Sequence, residues 1–220
     1  MPEPAAISVP RPGPQFATMP QQAEAATLGI WVFLATEVLF FSGMLLGYAV
    51  LRHAYPAGFA EASGATKIVI GSVNTAVLLT SSATMAWAVH AAETSHRRLL
   101  TGLLAATAAL GLVFLALKGV EYSQEYDEHL VPGLNFASAS PHAHAIELFY
   151  FLYFGLTGIH ALHLSIGIAI VALIAVRAWR GTFSPAYYTP VEITGLYWHF
   201  VDLVWIFLYP LIYLNGRSGG

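Results

Sequence analysis

Three groups of ionisable residues lie inside apolar stretches and a fourth at the end of one, where their chemistry would be costly unless it is used or satisfied. Glu37 stands alone in WVFLATEVLFFSGMLLGY. His160 and His163 share FGLTGIHALHLSIG, His199 and Asp202 share GLYWHFVDLVWIFLYPLIYL, and Lys118 and Glu121 share ALKGVEYS. A charge at a bilayer centre costs about 2.5–3.5 kcal/mol on insertion scales, so each group needs a protein-facing position or a neutral form. For Glu37 this leaves two readings: a proton relay or buried acid site, and a neutral carboxyl hydrogen-bonded to a neighbouring helix.

The histidine pair has the i, i+3 spacing that puts two imidazoles on one helical face, where they would ligate a metal or haem. Two imidazoles do not complete a site, and the chain contains no cysteine to supply thiolates. Gly155, Gly158 and Gly167 on the same segment point instead to close helix packing. His199 and Asp202 are also three apart, but general acid/base work lacks a visible nucleophile. A hydrogen-bonded pair between helices is the better reading. Together His160, His163, His199 and Asp202 are expected to form an interhelical polar network. Lys118 and Glu121 have ion-pair spacing, with a surface salt bridge as the plain alternative.

The elements that carry these groups follow from composition. Asp, Glu, Lys and Arg make up 10% of the 220 residues, against about 25% in a soluble domain. The mean hydropathy is +0.64 and the apolar residues form long blocks. A spanning helix needs roughly 20 apolar residues, and the segments 28–51, 67–91, 99–117, 145–176 and 193–214 qualify. The expected fold is an all-α integral membrane protein, a bundle of five transmembrane helices. Residues 25–216 form the membrane domain, 1–24 a flexible N-terminal tail and 217–220 a C-terminal tail. The first residues lack the apolar core of a signal peptide and the Arg-rich pattern of a transit peptide. The net charge of −3 gives no footprint for nucleic acid. A cytoplasmic N-terminus puts Arg11, Arg97, Arg98, Arg177 and Arg180 inside, and Arg52, Lys67, Lys118 and Arg217 outside. The positive-inside rule favours that orientation by a narrow margin.

Read in order, FLATEVLFFSG, LKGVEY, FYFLYFGLTGIHALHLSIG and YWHFVDLVWIFLYPLIYL resemble subunit III of the haem-copper respiratory oxidases, from about Leu28 to Leu214. The mitochondrial form of that subunit has seven helices, and the five here look like the bacterial form of cytochrome c and quinol oxidases. The resemblance implies an accessory subunit of a proton-pumping terminal oxidase in a bacterial inner membrane. It implies haems and copper on partner subunits, subunit I as the main contact with subunit II nearby, structural phospholipids, and support of proton uptake. Glu37 matches the family's carbodiimide-reactive buried acid. Other readings are a b-type haem membrane anchor using His160, His163 or His199, and an accessory subunit of a nitric oxide reductase from the same superfamily. A transporter using Glu37 and Asp202 is disfavoured, because no inverted repeat is evident.

Overall fold

The structure, a computed structural model, describes residues 12–217. Residues 1–11 of the expected N-terminal tail and 218–220 of the C-terminal tail lie outside the described residues. Among the described residues there are six α-helices: α1 (Met19–Ala54), α2 (Pro56–Ala65), α3 (Ile68–Glu93), α4 (Arg97–Asp127), α5 (Ala143–Trp179) and α6 (Thr189–Tyr209). A π-helical turn, Pro210–Leu214, continues α6 and a short 3-10 turn, Asn215–Arg217, follows it. Five helices are long and apolar enough to cross a membrane: α1, α3, α4, α5, and α6 with its π turn. The protein is therefore an all-α, multi-spanning membrane protein.

Helix α1 begins at Met19, inside the stretch expected to be a tail. Thr18 caps it by accepting a hydrogen bond from the Gln21 amide, and Pro20 sits in the first turn, where a missing N–H costs nothing. Helices α3, α4 and α5 all stop by one device. The residue after each C-cap, Ser95 (φ 60), His129 (φ 58) and Gly181 (φ 79), turns left-handed. The next amide then reaches back to the last full turn: His96 to Ala91, Leu130 to Glu125 and Thr182 to Arg177.

Helices α3 to α6 form the core, and α1 lies against the α5–α6 side. Indole N–H groups join the core helices, with Trp198 Nε1 donating to Ser81 Oγ at 3.1 Å and Trp205 Nε1 donating to Thr75 Oγ1 at 3.0 Å. The Trp198 ring wedges against α4, where a Cβ on Gly111 would lie 2.9 Å from it. Such contacts hold helices together in lipid, where no hydrophobic force separates one apolar surface from another. Gly167 packs on Trp198 and Tyr197, whereas Gly155 meets nothing within 4 Å and Gly158 only the Tyr122 hydroxyl. The close-packing face expected from these three glycines is thus confined to Gly167.

The sequence reading missed α2. This helix covers one end of the bundle, with Ser63 Oγ donating to the Ile212 carbonyl at 2.7 Å and Gly58 in close contact with Ala145. It also ended the third span at residue 117, ten residues before α4 stops.

Candidate functional site

Glu37 lies at the middle of α1, and His160 and His163 flank the middle of α5. His199 and Asp202 occupy the centre of the last span. The polar groups thus share one level, the depth farthest from water on either side.

Leu34, Phe41 and Tyr48 recur every seven residues as the buried stripe of α1, and Glu37 sits one turn from Leu34 on the same side. Its Oε2 is 3.1 Å from His163 Nε2. The other ring nitrogen, Nδ1, is 2.9 Å from the Ile159 carbonyl. A carbonyl only accepts, so Nδ1 carries a proton. Nε2 then either accepts from a protonated Glu37 or, as imidazolium, donates to the carboxylate. Both forms contain one shared proton and no net charge, which answers how an acid is tolerated at this depth. The edge of Phe41 packs on the imidazole at 5.2 Å, and Tyr197 Oη donates to the His163 carbonyl at 3.0 Å. The pair is not sealed: the side chains of Glu37 and His163 are 18% and 15% exposed. They floor a groove of about 460 Å³ walled by Ile30, Phe33, Ile166 and Ile170. Through Ile193 and Thr194 this groove continues into a second one that reaches Met19 and Gln22 at the end of the bundle. The arrangement can hold one proton beside an apolar groove.

The other three members of the expected network do not join this pair. His199 Nδ1 is 2.8 Å from Ser82 Oγ on α3. Asp202 is buried, and its carboxyl oxygens make no hydrogen bond among the described residues, although Ser82 is close enough to bear on them. His160 is fully buried between the rings of Phe114 and Trp205, at 5.5 and 5.1 Å, and neither of its nitrogens has a partner among the described residues. Spacing along a helix brought these groups to one level but did not choose their partners. Among the described residues no three of His, Asp and Glu converge in a way that would hold a metal.

Lys118 and Glu121 belong to a separate buried cluster. Lys118 Nζ donates to Glu121 Oε2, Tyr153 Oη and Tyr213 Oη, each at 3.0 Å. Tyr213 Oη in turn donates to Glu121 Oε1 at 2.6 Å. The lysine and glutamate side chains are 4% and 0% exposed, so this is no surface salt bridge. Glu125, one turn further on, is buried as well. Tyr153, Tyr213 and Glu125 were not assigned to this cluster from the sequence, although Lys118, Glu121 and Glu125 follow the 3–4 spacing of one helical face.

Five spans, a hydrogen-bonded Glu–His pair at mid-depth and a second buried charge cluster define a multi-spanning, all-helical membrane subunit with polar sites inside its bundle. The family model described as Cytochrome c oxidase subunit III matches residues 17–217. Cytochrome c oxidase subunit 3 of Synechocystis sp. is 32% identical over 187 residues, covering 84% of this chain and 74% of that protein. The subunit 3 of Gadus morhua is 34% identical over 197 residues, covering 86% of this chain and 69% of the relative. The chain belongs to the cytochrome c oxidase subunit III family, and so to the membrane subunits of a respiratory oxidase complex.

Proposed function

We propose that the chain is an accessory, non-redox subunit of a proton-pumping haem-copper terminal oxidase of a bacterial inner membrane. It packs on subunit I, steadies it, holds phospholipid and sustains proton uptake, while the haems and copper reside on the partners. The observation that carries this reading is the Glu37–His163 pair, set in the floor of an apolar groove that runs from mid-membrane to one end of the bundle. The single shared proton leaves the pair without net charge, and its hydrogen bond fastens α1 to α5. Such interhelical bonds contribute about 1–2 kcal/mol in model systems and less in folded membrane proteins. The groove suits an acyl chain along Ile166 and Ile170. Among the described residues no second acid is hydrogen-bonded to Glu37, which supports a storing role for the pair over a relaying one. Proton uptake is supported through the placement of α1 and its lipid against subunit I.

The test is extraction of the full chain from its native membrane in mild detergent, followed by spectroscopy before and after separating the subunits. The intact complex should show haem absorption with this chain in stoichiometric amount, and the separated chain should be colourless. Stoichiometric haem on the separated polypeptide would establish the b-type anchor instead.

A further inference from the structure

Helix α1 meets α6 along a second groove, of about 730 Å³, that no residue of α5 lines. We propose that this groove binds the ring of a membrane-soluble quinone or quinol. The inference goes beyond the oxidase role proposed above and does not depend on it.

The groove is apolar except at one point. Leu34 and Phe200 are buried at its floor, while Trp31, Leu39 and Leu203 stand exposed along its rim. The polar residue of the lining is His199, half-buried at mid-membrane. Its Nδ1 turns inward to Ser82 Oγ on α3, at 2.8 Å, which leaves Nε2 on the groove side with no hydrogen-bond partner among the described residues. Hydrocarbon offers none, so a bare imidazole nitrogen at this depth is costly. Apolar walls around one placed polar group are the usual make-up of a small-molecule site.

The position of that nitrogen selects the occupant. A phospholipid keeps its polar atoms at headgroup level, and its acyl chains have none to offer at mid-depth. A spanning helix of a neighbouring subunit needs a face about 30 Å long, whereas Trp31 to Leu39 covers about 12 Å of α1. A quinone carries its oxygens on an otherwise apolar ring, and its isoprenoid tail can leave the groove for the lipid. Trp31 gives such a ring an aromatic face. Ala35, one turn along α1, is exposed and is the smallest side chain of the lining, so it leaves the room. The chemistry of His199 suits both redox forms. If the Ser82 hydroxyl donates to Nδ1, Nε2 carries the proton and can donate to a quinone carbonyl. The Asp202 carboxyl beside Ser82 gives that hydroxyl a second direction in which to turn. Nδ1 then donates to Oγ, and Nε2 can accept from the hydroxyl of a quinol.

The full chain, with whatever subunits accompany it, is freed of quinone in detergent, irradiated with a short-tailed azidobenzoquinone and digested for peptide mapping. Label should fall on residues 31–39 or 196–203, and an excess of unreactive short-tailed benzoquinone should suppress it where phosphatidylcholine does not. His199→Asn keeps an amide within reach of Ser82 and removes Nε2. It should raise the half-maximal labelling concentration roughly fivefold, the worth of one net hydrogen bond. Ala35→Phe fills the groove from an exposed position and should abolish the label while the subunit stays in the complex at its normal level. Absence of label from these segments in the unaltered protein overturns the proposal, as does labelling of unaltered strength in either variant. Equal suppression by phosphatidylcholine would make this an acyl-chain groove and overturn it too. A benzophenone side chain in place of Ala35 that crosslinks to another subunit in most copies would assign the groove to a protein partner instead.

Discussion

Lys118 and Tyr213 meet at 3.0 Å although 95 residues separate them, and Glu121 accepts from both. The contact joins α4 to the π-helical turn that ends the last span. The ammonium also lies 4.7 Å from the centre of the Tyr153 ring and 5.5 Å from that of Trp205. Aromatic faces and hydroxyls thus replace the water that an ammonium would otherwise require. The lysine is held at the junction of α4, α5 and α6, and it orients the end of the chain over α2.

Removing one partner of a buried ion pair leaves a bare charge, at a cost of about 3–5 kcal/mol. Lys118→Met is therefore expected to lower the thermal unfolding midpoint of the detergent-solubilised protein more than Tyr213→Phe does. The tyrosine change removes two hydrogen bonds, to Lys118 and to Glu121, but leaves that ion pair in contact, so no bare charge is stranded. Adding Glu121→Gln to Lys118→Met should restore part of the loss, because the stranded carboxylate is gone. A double variant less stable than Lys118→Met alone would contradict this account of the cluster.

His160 gives the opposite expectation. Both of its nitrogens are buried without partners, and its ring sits between Phe114 and Trp205. Replacing a polar group that makes no bond by an apolar group of similar shape is close to neutral or stabilising. His160→Phe should leave the unfolding midpoint unchanged or raised, within about 1 kcal/mol of the original stability. A loss as large as that of Lys118→Met would mean that the imidazole has a hydrogen-bond partner in the assembled protein.

The spans were legible because uninterrupted apolar length is a direct requirement of the bilayer, and the residues around Glu37, His163 and Asp202 satisfy it on both sides. Helix α2 was not legible. Its ten residues, PAGFAEASGA, are too short to span and too small in side chain to show a face. The last ten residues of α4 fall outside the span read from the sequence because hydropathy drops after Leu117, yet the helix continues since Lys118, Glu121 and Glu125 all point inward. Their spacing carried that information, and their charge obscured it. Partners were the least legible feature. His199 and Asp202 are three residues apart, but the imidazole reaches across to Ser82 on α3, a choice made by the packing of two helices. The Tyr213 contact depends on a π turn after Pro210 that no local pattern announces.

Orientation is tested by labelling. The chain has no cysteine, so single cysteines report one site each. Ser95, in the tight α3–α4 turn, and Ala139, before α5, are both exposed and lie at opposite ends of the bundle. With the N-terminus inside, a membrane-impermeant maleimide added to intact cells should label Ala139→Cys and should reach Ser95→Cys only after lysis. The reverse pattern inverts the topology.

The Glu37–His163 pair separates a stored proton from a transported one. In Glu37→Gln the side-chain amide can donate to His163 Nε2 while Nδ1 keeps its bond to Ile159, so the contact between α1 and α5 survives with the carboxyl removed. The subunit should assemble at the normal level, and the complex should keep most of its proton pumping per electron. Labelling by a hydrophobic carbodiimide, which needs a protonated carboxyl, should fall to background. Glu37→Leu removes the hydrogen bond as well and leaves His163 Nε2 without a partner at mid-membrane, at a cost of about 1–3 kcal/mol. It should loosen α1, detectable as faster proteolysis near the α1–α2 junction and reduced retention of the subunit in the complex. Proton-to-electron ratios in reconstituted vesicles and subunit stoichiometry in the same preparations decide the matter. If Glu37→Gln assembled fully but lost pumping, the proton held between Glu37 and His163 would be one that the oxidase moves.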